Sequence, residues 1–194
     1  MDSSPPSTPT PRPSPARDRL LTTASRIFYA EGIHGVGVEH VIAEAQVTRA
    51  TFYRHFAGKE ALIEAYLRTT DEGMRARAAE GSADGAPPRE LVLALMGKIG
   101  DHLCTDGFRG CPFINAAAEY PDPESPVRRI VADHRAWFHD TLQGLLEDDG
   151  HPDPTKATRV LVQLRDGAMV GGYLDDPAGA RRTLLDSTED VLAA

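Results

Sequence analysis

The stretch from Gly37 to Lys59 reads GVEHVIAEAQVTRATFYRHFAGK and contains two short helical patterns joined by a tight connection. In the first pattern, four apolar residues recur at helical spacing and form one face: Val38, Val41, Ile42 and Ala45. Thr48 can cap the second helix by accepting a hydrogen bond from a backbone N–H two or three residues further on. Phe52 and Phe56, four residues apart, form the inward face of that helix. The stretch therefore predicts a helix-turn-helix.

The second helix presents hydrogen-bond donors on its outer face. The side chains that do not pack inward are Arg49, Thr51, Tyr53, Arg54 and His55. A helix fits the major groove of B-DNA, which is about 12 Å wide, and its N-terminal residues lie closest to the base edges. Lys59 adds positive charge near the start of the following helix, where backbone N–H groups also attract phosphate. This pattern favours DNA binding.

Over about residues 16–64 the chain resembles the TetR (tetracycline-repressor-like) family of transcriptional regulators. The resemblance lies in the string Val47-Thr48-x-Ala50-Thr51-Phe52-Tyr53-x-His55-Phe56-x-x-Lys59-Glu60-x-Leu62, preceded by Ile42-Ala43. It implies that bases or adjacent phosphates face Arg49, Thr51 and Arg54. It implies that the DNA backbone is held by Thr48, Tyr53, His55 and Lys59. The complete set expected at the DNA is Thr48, Arg49, Ala50, Thr51, Tyr53, Arg54, His55 and Lys59.

Two positions depart from the family pattern. Gln46 stands where the family often has glycine, so we expect a less sharp turn between the two helices. Gly37 stands where threonine or serine is frequent, and glycine is a weaker but tolerated helix cap. Neither departure removes a group that is expected to contact DNA.

The remainder of the chain is patterned as helix, with glycine and proline between the segments. Three helices are predicted to begin at a capping residue followed by proline: Ser125-Pro126, Asp153-Pro154 and Asp176-Pro177. Pro88 is predicted to open another helix after a loop over residues 81–88. No segment alternates with the period of two that strands require. We predict an all-α fold of about nine helices that begins with a three-helix helix-turn-helix domain.

Three parts are predicted along the chain. Residues 1–15 hold six prolines among serine and threonine and are expected to form a disordered tail. Residues 16–63 are the predicted helix-turn-helix domain. Residues 64–194 are a larger helical domain, to which the resemblance assigns ligand binding and dimerisation.

The resemblance implies a homodimer that binds a palindromic double-stranded DNA operator, because two-fold symmetry relates the two recognition helices. The dimer contacts would come from the last two long helices, about residues 153–173 and 176–192. Small residues on these helices permit close helix approach: Ala168, Gly171, Gly172 and Ala180. The alternative is that the two helices complete a monomeric core.

A pocket for an unknown small-molecule effector is also implied among the middle helices. Such sites are mainly apolar and aromatic with few polar groups. The expected lining residues are Tyr66, Met96, Phe108, Phe113, Asn115, His134, Trp137 and Phe138. The alternative for each of them is core packing. The implied function is a repressor that leaves its operator when the effector binds, with activation as the alternative.

The net charge of −8 is distributed unevenly. Residues 1–68 carry 8 Lys/Arg and 7 Asp/Glu, whereas residues 69–194 carry 13 and 22. The excess of acidic residues therefore lies in residues 69–194, outside the predicted DNA-binding motif. Arg12, Arg17 and Arg19 can reach the minor groove as a basic arm, or can simply be solvated.

Other function classes lack a sequence signature. Without a nucleophile elbow, a Gly-rich phosphate loop or a metal-ligand cluster, we expect no enzyme activity, catalytic residue, metal site or cofactor. A module that uses the motif to bind protein is the other alternative. No run approaches the roughly 18 apolar residues of a membrane helix, and no secretory signal is present, so we expect a cytoplasmic protein without a membrane partner.

The two cysteines, Cys104 and Cys111, allow a redox hypothesis. A thiolate near Arg109 would have a lowered pKa and higher reactivity. The alternative is that both cysteines are small apolar residues without a chemical role.

Overall fold

The computed structural model describes residues 14–80 and 85–194. Within these residues the chain forms nine α-helices and no strand, which confirms the predicted all-α fold. The helices are α1 (Pro15–Glu31), α2 (Val38–Glu44), α3 (Arg49–His55), α4 (Lys59–Ala79), α5 (Pro88–Leu103), α6 (Pro112–Glu119), α7 (Pro126–Asp148), α8 (Pro154–Leu174) and α9 (Pro177–Ala193).

The last three helices begin as predicted. Ser125, Asp153 and Asp176 each precede a proline at the first helical turn. Each side chain accepts a hydrogen bond, of 3.0–3.2 Å, from a backbone N–H two or three residues further on. These bonds satisfy N–H groups that have no partner within the helix, so the start of each helix is determined locally.

The N-terminal helices pack around α1, which contacts α2, α3 and α4. Their buried residues include Leu20, Ala24, Ile27, Phe28, Val41, Phe52, Phe56, Leu62 and Ile63. The predicted domain boundary between residues 63 and 64 falls inside α4. Because α4 also contacts α7, this one helix belongs to the core of both halves of the chain.

The C-terminal helices form a layered bundle in which α9 packs on α5 and α8, and α7 packs on α4, α5, α6 and α8. Three of the four small residues expected at a dimer contact, Gly171, Gly172 and Ala180, lie against helices of the same chain. Gly172 faces Leu103 of α5, where an added Cβ would lie 3.2 Å from the Leu103 Cβ. A Cβ on Gly171 would lie 3.9 Å from the Ala180 Cβ on α9. These glycines therefore permit close packing within the chain.

Some sequence predictions concern residues outside the described ranges. These are residues 1–13 of the predicted tail, which include Arg12, and residues 81–84 of the loop before α5. Ser14 and Pro15, by contrast, are described, and Pro15 is the first residue of α1. None of the helices in residues 14–80 and 85–194 combines the length and hydropathy needed to cross a bilayer.

Candidate nucleic-acid interface and ligand cavity

The connection between α2 and α3 turns at Gln46, which adopts a positive φ of 52°. This left-handed backbone is the conformation that glycine adopts without steric cost. The backbone N–H groups of Gln46 and Val47 bond back to the carbonyls of Ala43 and Ile42, at 3.1 and 3.3 Å. The expectation of a less sharp turn is therefore wrong, because the chain keeps the turn and Gln46 accepts the strain.

Thr48 caps α3 as predicted. Its hydroxyl oxygen accepts a hydrogen bond from the backbone N–H of Thr51 at 3.1 Å and lies 2.9 Å from the Thr51 hydroxyl. Phe52 is fully buried and Phe56 nearly so, with ring centroids 5.9 Å apart. The cap and the two aromatic rings hold α3 against the N-terminal core, and so they orient its outer face.

Five of the eight residues expected at the DNA are exposed on and beside α3: Thr48, Arg49, Ala50, Tyr53 and Arg54. We call these five residues the α3 surface. The Tyr53 side chain is 49% exposed although its ring packs edge-on against Phe52. The Arg49 guanidinium lies 5.8 Å from the centre of the Tyr53 ring and 3.3 Å from a carboxylate oxygen of Glu39. Arg49 is therefore held beside Tyr53 by an ion pair that water screens.

The other three expected residues are half-buried and contact neighbouring elements. The Thr51 hydroxyl lies next to Thr48, and His55 Nε2 lies 3.2 Å from the hydroxyl of Ser14. Lys59 Nζ donates to the carbonyl oxygen of His34 at 3.3 Å. All eight residues lie on α3, at its N-terminal cap or at the first residue of α4. Arg17, on α1, stacks over Phe56 at 5.4 Å and joins this region.

A cavity of about 600 Å³ lies between α4, α5, α7 and α8. We call it the central cavity. It is lined by Met74, Arg77, Ala78, Glu80, Leu95, Lys98, Ile99, Asp101, His102, Thr105, His134, Trp137, Phe138, Arg165 and Met169. Its volume is within the range of about 300–1,000 Å³ that is usual for sites of small organic ligands.

Three of the eight expected pocket residues line this cavity: His134, Trp137 and Phe138. Tyr66 and Asn115 line a separate cavity of about 160 Å³ between α1 and α6. Neither cavity is lined by Met96, Phe108 or Phe113. Met96 and Phe113 are core residues, with Phe113 stacked on the His134 ring at 3.7 Å, and Phe108 packs edge-on against His102. For these three residues the core alternative holds.

His134 is buried in the wall of the central cavity, with 3% exposure. Its Nδ1 lies 2.8 Å from a carboxylate oxygen of Asp71, which also accepts a 2.7 Å hydrogen bond from Arg75. Burial lowers the pKa of His134 below its ordinary value of 6.5, although the hydrogen bond to Asp71 acts in the opposite direction. A neutral imidazole that donates through Nδ1 keeps Nε2 as a hydrogen-bond acceptor.

The sequence did not indicate Arg165 as a site residue. This residue is buried, and its Nη1 donates to Asp166 at 2.8 Å while its Nη2 contacts the sulfur of Cys111 at 3.2 Å. Cys111 is thus paired with Arg165 and not with Arg109, which the redox hypothesis named; Arg109 instead stacks over Tyr173 at 5.7 Å. Cys111 is buried and Cys104 is exposed.

Two contacts that sequence analysis missed join the N-terminal helices to the rest of the chain. The hydroxyl of Tyr29 accepts from the backbone N–H of Arg109 at 2.8 Å and donates to the carbonyl oxygen of Gly110 at 2.9 Å. The carboxylate of Glu119 accepts from the backbone N–H groups of Ile33 and His34, at 2.8 and 2.6 Å. Because each pair is separated by at least 80 residues, no local pattern signals it.

Metal ligands are not assembled in the part of the chain that the structure describes. No group of three or more His, Cys, Asp or Glu side chains in residues 14–80 and 85–194 comes close enough to hold a metal ion.

Comparison with known proteins places these features in a family. The family model for bacterial regulatory proteins of the tetR family matches residues 20–66, which span most of α1 to the first part of α4. SCO4454, a TetR-family transcriptional regulator from Streptomyces coelicolor, is 52% identical in sequence. The match covers 92% of this chain and 94% of that one, with a TM-score of 0.89. This chain belongs to the TetR family.

Other TetR-family relatives are more distant. The regulator LmrA from Bacillus subtilis is 28% identical over 63% of this chain, and the repressor NemR from Escherichia coli is 27% identical over 59%. These matches cover 65% of LmrA and 59% of NemR, less than two thirds of either protein. The crystal structure of reduced NemR, 22% identical in its structural alignment, shares the fold over 92% of this chain, with a TM-score of 0.79.

Proposed function

We propose that this TetR-family chain is a homodimeric DNA-binding transcriptional regulator, a repressor that a small molecule releases from a palindromic operator. The observation that supports this function best is the α3 surface, a capped and rigidly packed helix with exposed arginine, tyrosine and threonine side chains. The 52% identical relative, matched over nearly its whole length, is itself described as a transcriptional regulator.

In this proposal α3 enters the major groove. Arg49, Thr51 and Arg54 contact bases or adjacent phosphates, because guanidinium and hydroxyl groups donate to base edges and phosphate oxygens. The DNA backbone is held by Thr48, Tyr53, His55 and Lys59. Ala50 lies between them on the exposed side, where its small side chain permits close approach to the DNA.

The dimer contact is proposed on α8 and α9. On α8, Val170 is 48% exposed and Leu174 is 67% exposed, and Tyr173 beside them is 45% exposed. Gly167, also exposed, lies one turn before Val170, so this face combines apolar area with room for close helix approach. A second copy of the chain that packs on the face removes the apolar surface from water and places two α3 helices about 34–36 Å apart, one turn of DNA.

The central cavity is proposed as the effector site. Its walls come from α4 as well as from α5, α7 and α8, and α4 packs on α1, the helix that also contacts α3. An effector shifts the operator equilibrium only if it binds the DNA-competent and DNA-incompetent states with different affinity. A ligand that binds more tightly when α4 is displaced satisfies this condition, because its affinity then differs between the two states.

The test is fluorescence anisotropy of the full chain on duplexes selected from a random pool, at several salt concentrations. The test variant is Tyr53→Ala/Lys59→Ala. The matched control is Arg68→Gln, which removes an exposed cation of α4 that pairs with Glu64 outside the α3 surface. We expect sequence-specific binding that weakens steeply with salt, because phosphate contacts release counterions.

We expect the double variant to lose most of this binding and the control to retain it, with both variants folded by circular dichroism. Specific binding that the double variant retains would place the interface elsewhere. If no duplex is selected by the unmodified chain, DNA binding is excluded and the protein-binding alternative for the motif remains.

A further inference from the structure

The lining of the central cavity contains three cationic and two anionic side chains, although the whole chain has a net charge of −8. Of these, Arg165 is buried, with 5% exposure. The carboxylate of Asp166 accepts from Arg165 and from Arg135, each at 2.8 Å. Neither arginine has a second carboxylate partner within residues 14–80 and 85–194. Asp166 is therefore shared between Arg165, which lines the cavity, and Arg135, which lies outside the lining and is 42% exposed.

The hydrogen bonds of Arg165 are also incomplete. Among the described residues, its Nη2 contacts only the sulfur of Cys111, which is a weak acceptor when the thiol is neutral, and its buried Nε has no partner. A guanidinium binds carboxylate through two parallel N–H groups, and Nε with Nη2 is one such pair. The cavity that Arg165 lines is the route by which an incoming oxygen can approach this pair.

The rest of the cavity suits an apolar body. Trp137 and Phe138 form adjacent aromatic walls, with ring centroids 6.4 Å apart, and the Arg165 guanidinium lies 5.5 Å from the centre of the Phe138 ring. The apolar lining is completed by Met74, Ala78, Leu95, Ile99 and Met169.

The other charged groups of the lining do not reverse the positive charge. Lys98 and Arg77 add two cations, while Glu80 and Asp101 add two anions. The Asp101 carboxylate is itself bound at 2.9 Å by Arg181, a residue outside the lining. Asp71, which lies against the lining residue His134, is paired with Arg75 at 2.7 Å and so does not cancel this charge. The lining, with these ion pairs included, therefore favours an anion over a neutral or cationic ligand.

We propose that the effector of the central cavity is an amphipathic organic anion. Its aromatic or otherwise apolar body lies against Trp137 and Phe138, and Arg165 binds its carboxylate or another oxyanion. This inference rests on the proposed function, because it assigns a chemical class to the ligand of the cavity named there as the effector site. A neutral molecule of the same shape leaves the Nε and Nη2 groups of Arg165 without a charged acceptor and binds more weakly.

The experiment uses two fluorescent probes of nearly equal shape: 1-anilinonaphthalene-8-sulfonate, which is anionic, and N-phenyl-1-naphthylamine, which lacks the sulfonate. Trp137 is the only tryptophan of the chain and lines the cavity, so energy transfer from it reports a bound probe, and the Arg165 variants assign that probe to the cavity. We expect the full-length chain to bind the anionic probe at least about tenfold more tightly than the neutral one, the usual effect of a charge-assisted hydrogen bond.

Three variants test the assignment to Arg165. Arg165→Met removes the charge and should abolish the preference by weakening the anionic probe about tenfold, with little effect on the neutral probe. Arg165→Lys keeps a cation and should retain part of the preference. Arg68→Met, which removes an exposed cation of α4 outside the cavity, is the matched control and should behave as the unmodified chain.

A second measurement does not depend on the folding of the Arg165 variants. Naphthalene-1-carboxylate and naphthalene-1-carboxamide compete with N-phenyl-1-naphthylamine on the unmodified chain, and the carboxylate should compete about tenfold more strongly. Equal competition, or a preference that survives in Arg165→Met, overturns the proposal while leaving the cavity as an effector site. If neither probe accepts energy from Trp137, the central cavity does not bind such ligands, and the proposed effector site falls together with this inference.

Discussion

Glu119, the last residue of α6, and His34, in the connection after α1, are joined by two hydrogen bonds. One Glu119 carboxylate oxygen lies 2.6 Å from the backbone nitrogen of His34 and 3.1 Å from its Nδ1, and the other carboxylate oxygen accepts from the backbone N–H of Ile33. Lys59 Nζ donates to the carbonyl oxygen of the same His34. The side chain of Glu119 therefore fixes the segment that connects α1 to α2 and, through Lys59, the start of α4.

We expect Glu119→Ala to lower the free energy of unfolding by about 1–2 kcal/mol, because charge-assisted hydrogen bonds to partly exposed groups are lost. Thermal unfolding followed by circular dichroism measures the loss. The matched control is Glu72→Ala, an exposed carboxylate on α4. A loss no larger than that of the control would show that the contact does not stabilise the chain.

The same contact predicts a pH dependence. Burial would raise the pKa of Glu119, but hydrogen bonds from Ile33 and His34 outweigh it and hold the pKa below the ordinary value of 4.5. The stabilisation is therefore present above about pH 4.5 and is lost as the pH falls through the folded-state pKa. We expect Glu119→Gln to remove this part of the acid sensitivity, measured as unfolding temperature against pH.

Gln46→Gly should stabilise the chain. The left-handed backbone at Gln46 costs a residue with a side chain about 1 kcal/mol relative to glycine, and the greater entropy of glycine in the unfolded chain offsets part of the gain. We expect a net increase of a few tenths to about 1 kcal/mol in chemical denaturation. The neighbouring Ala45→Gly, at a right-handed position, is the control and should destabilise. A lower stability of Gln46→Gly would mean that its side chain makes a compensating contact.

Thr48→Ala should destabilise the chain by about 1 kcal/mol, because the substitution removes the cap of α3. Thr48→Ser keeps the hydroxyl oxygen and should retain most of the stability. Hydrogen exchange of the first α3 amides, above all that of Thr51, locates the effect. Equal exchange in both variants would mean that the cap is not what holds the first turn.

The burial of His134 predicts that the free energy of unfolding decreases as the pH is lowered through about 6.5. Its pKa is lowered on folding, chiefly by burial, so the unfolded chain binds a proton that the folded chain does not. Burial and then Arg77 also lower the pKa of His102, which adds to the effect. We expect His134→Gln to flatten the dependence of unfolding temperature on pH without removing it. An equal slope in His134→Gln and in the unmodified chain would contradict the assignment.

The proposed dimer face predicts that Val170→Glu/Leu174→Glu is monomeric. Burying carboxylates in an apolar helix contact costs several kcal/mol, which exceeds what the remaining contacts supply. Sedimentation velocity measures the oligomeric state, and operator affinity should fall because two linked recognition helices become independent. Ala132→Glu, exposed on α7, is the control. A dimer that persists in the double variant would place the contact on another face.

Helix positions and the α3 surface could be predicted from the sequence because their causes are local. Caps such as Thr48 and Ser125 act on backbone groups two or three residues away, and the helical period separates Phe52 from the exposed Tyr53. The resemblance to the TetR family was visible for the same reason, since its motif lies in one continuous stretch.

The cavity and its chemistry were decided only by the tertiary structure. Arg165 meets Cys111 across 54 residues, and Asp71 meets His134 across 63. The sequence predicted both Tyr66 and Phe113 as pocket walls. In the structure, Tyr66 lines the small cavity between α1 and α6, whereas Phe113 stacks on the His134 ring. Hydrophobic periodicity predicts which face of a helix is buried, but it does not predict which other helix packs against that face. That depends on how side chains from distant segments interlock where the helices cross, and only the folded chain brings them together.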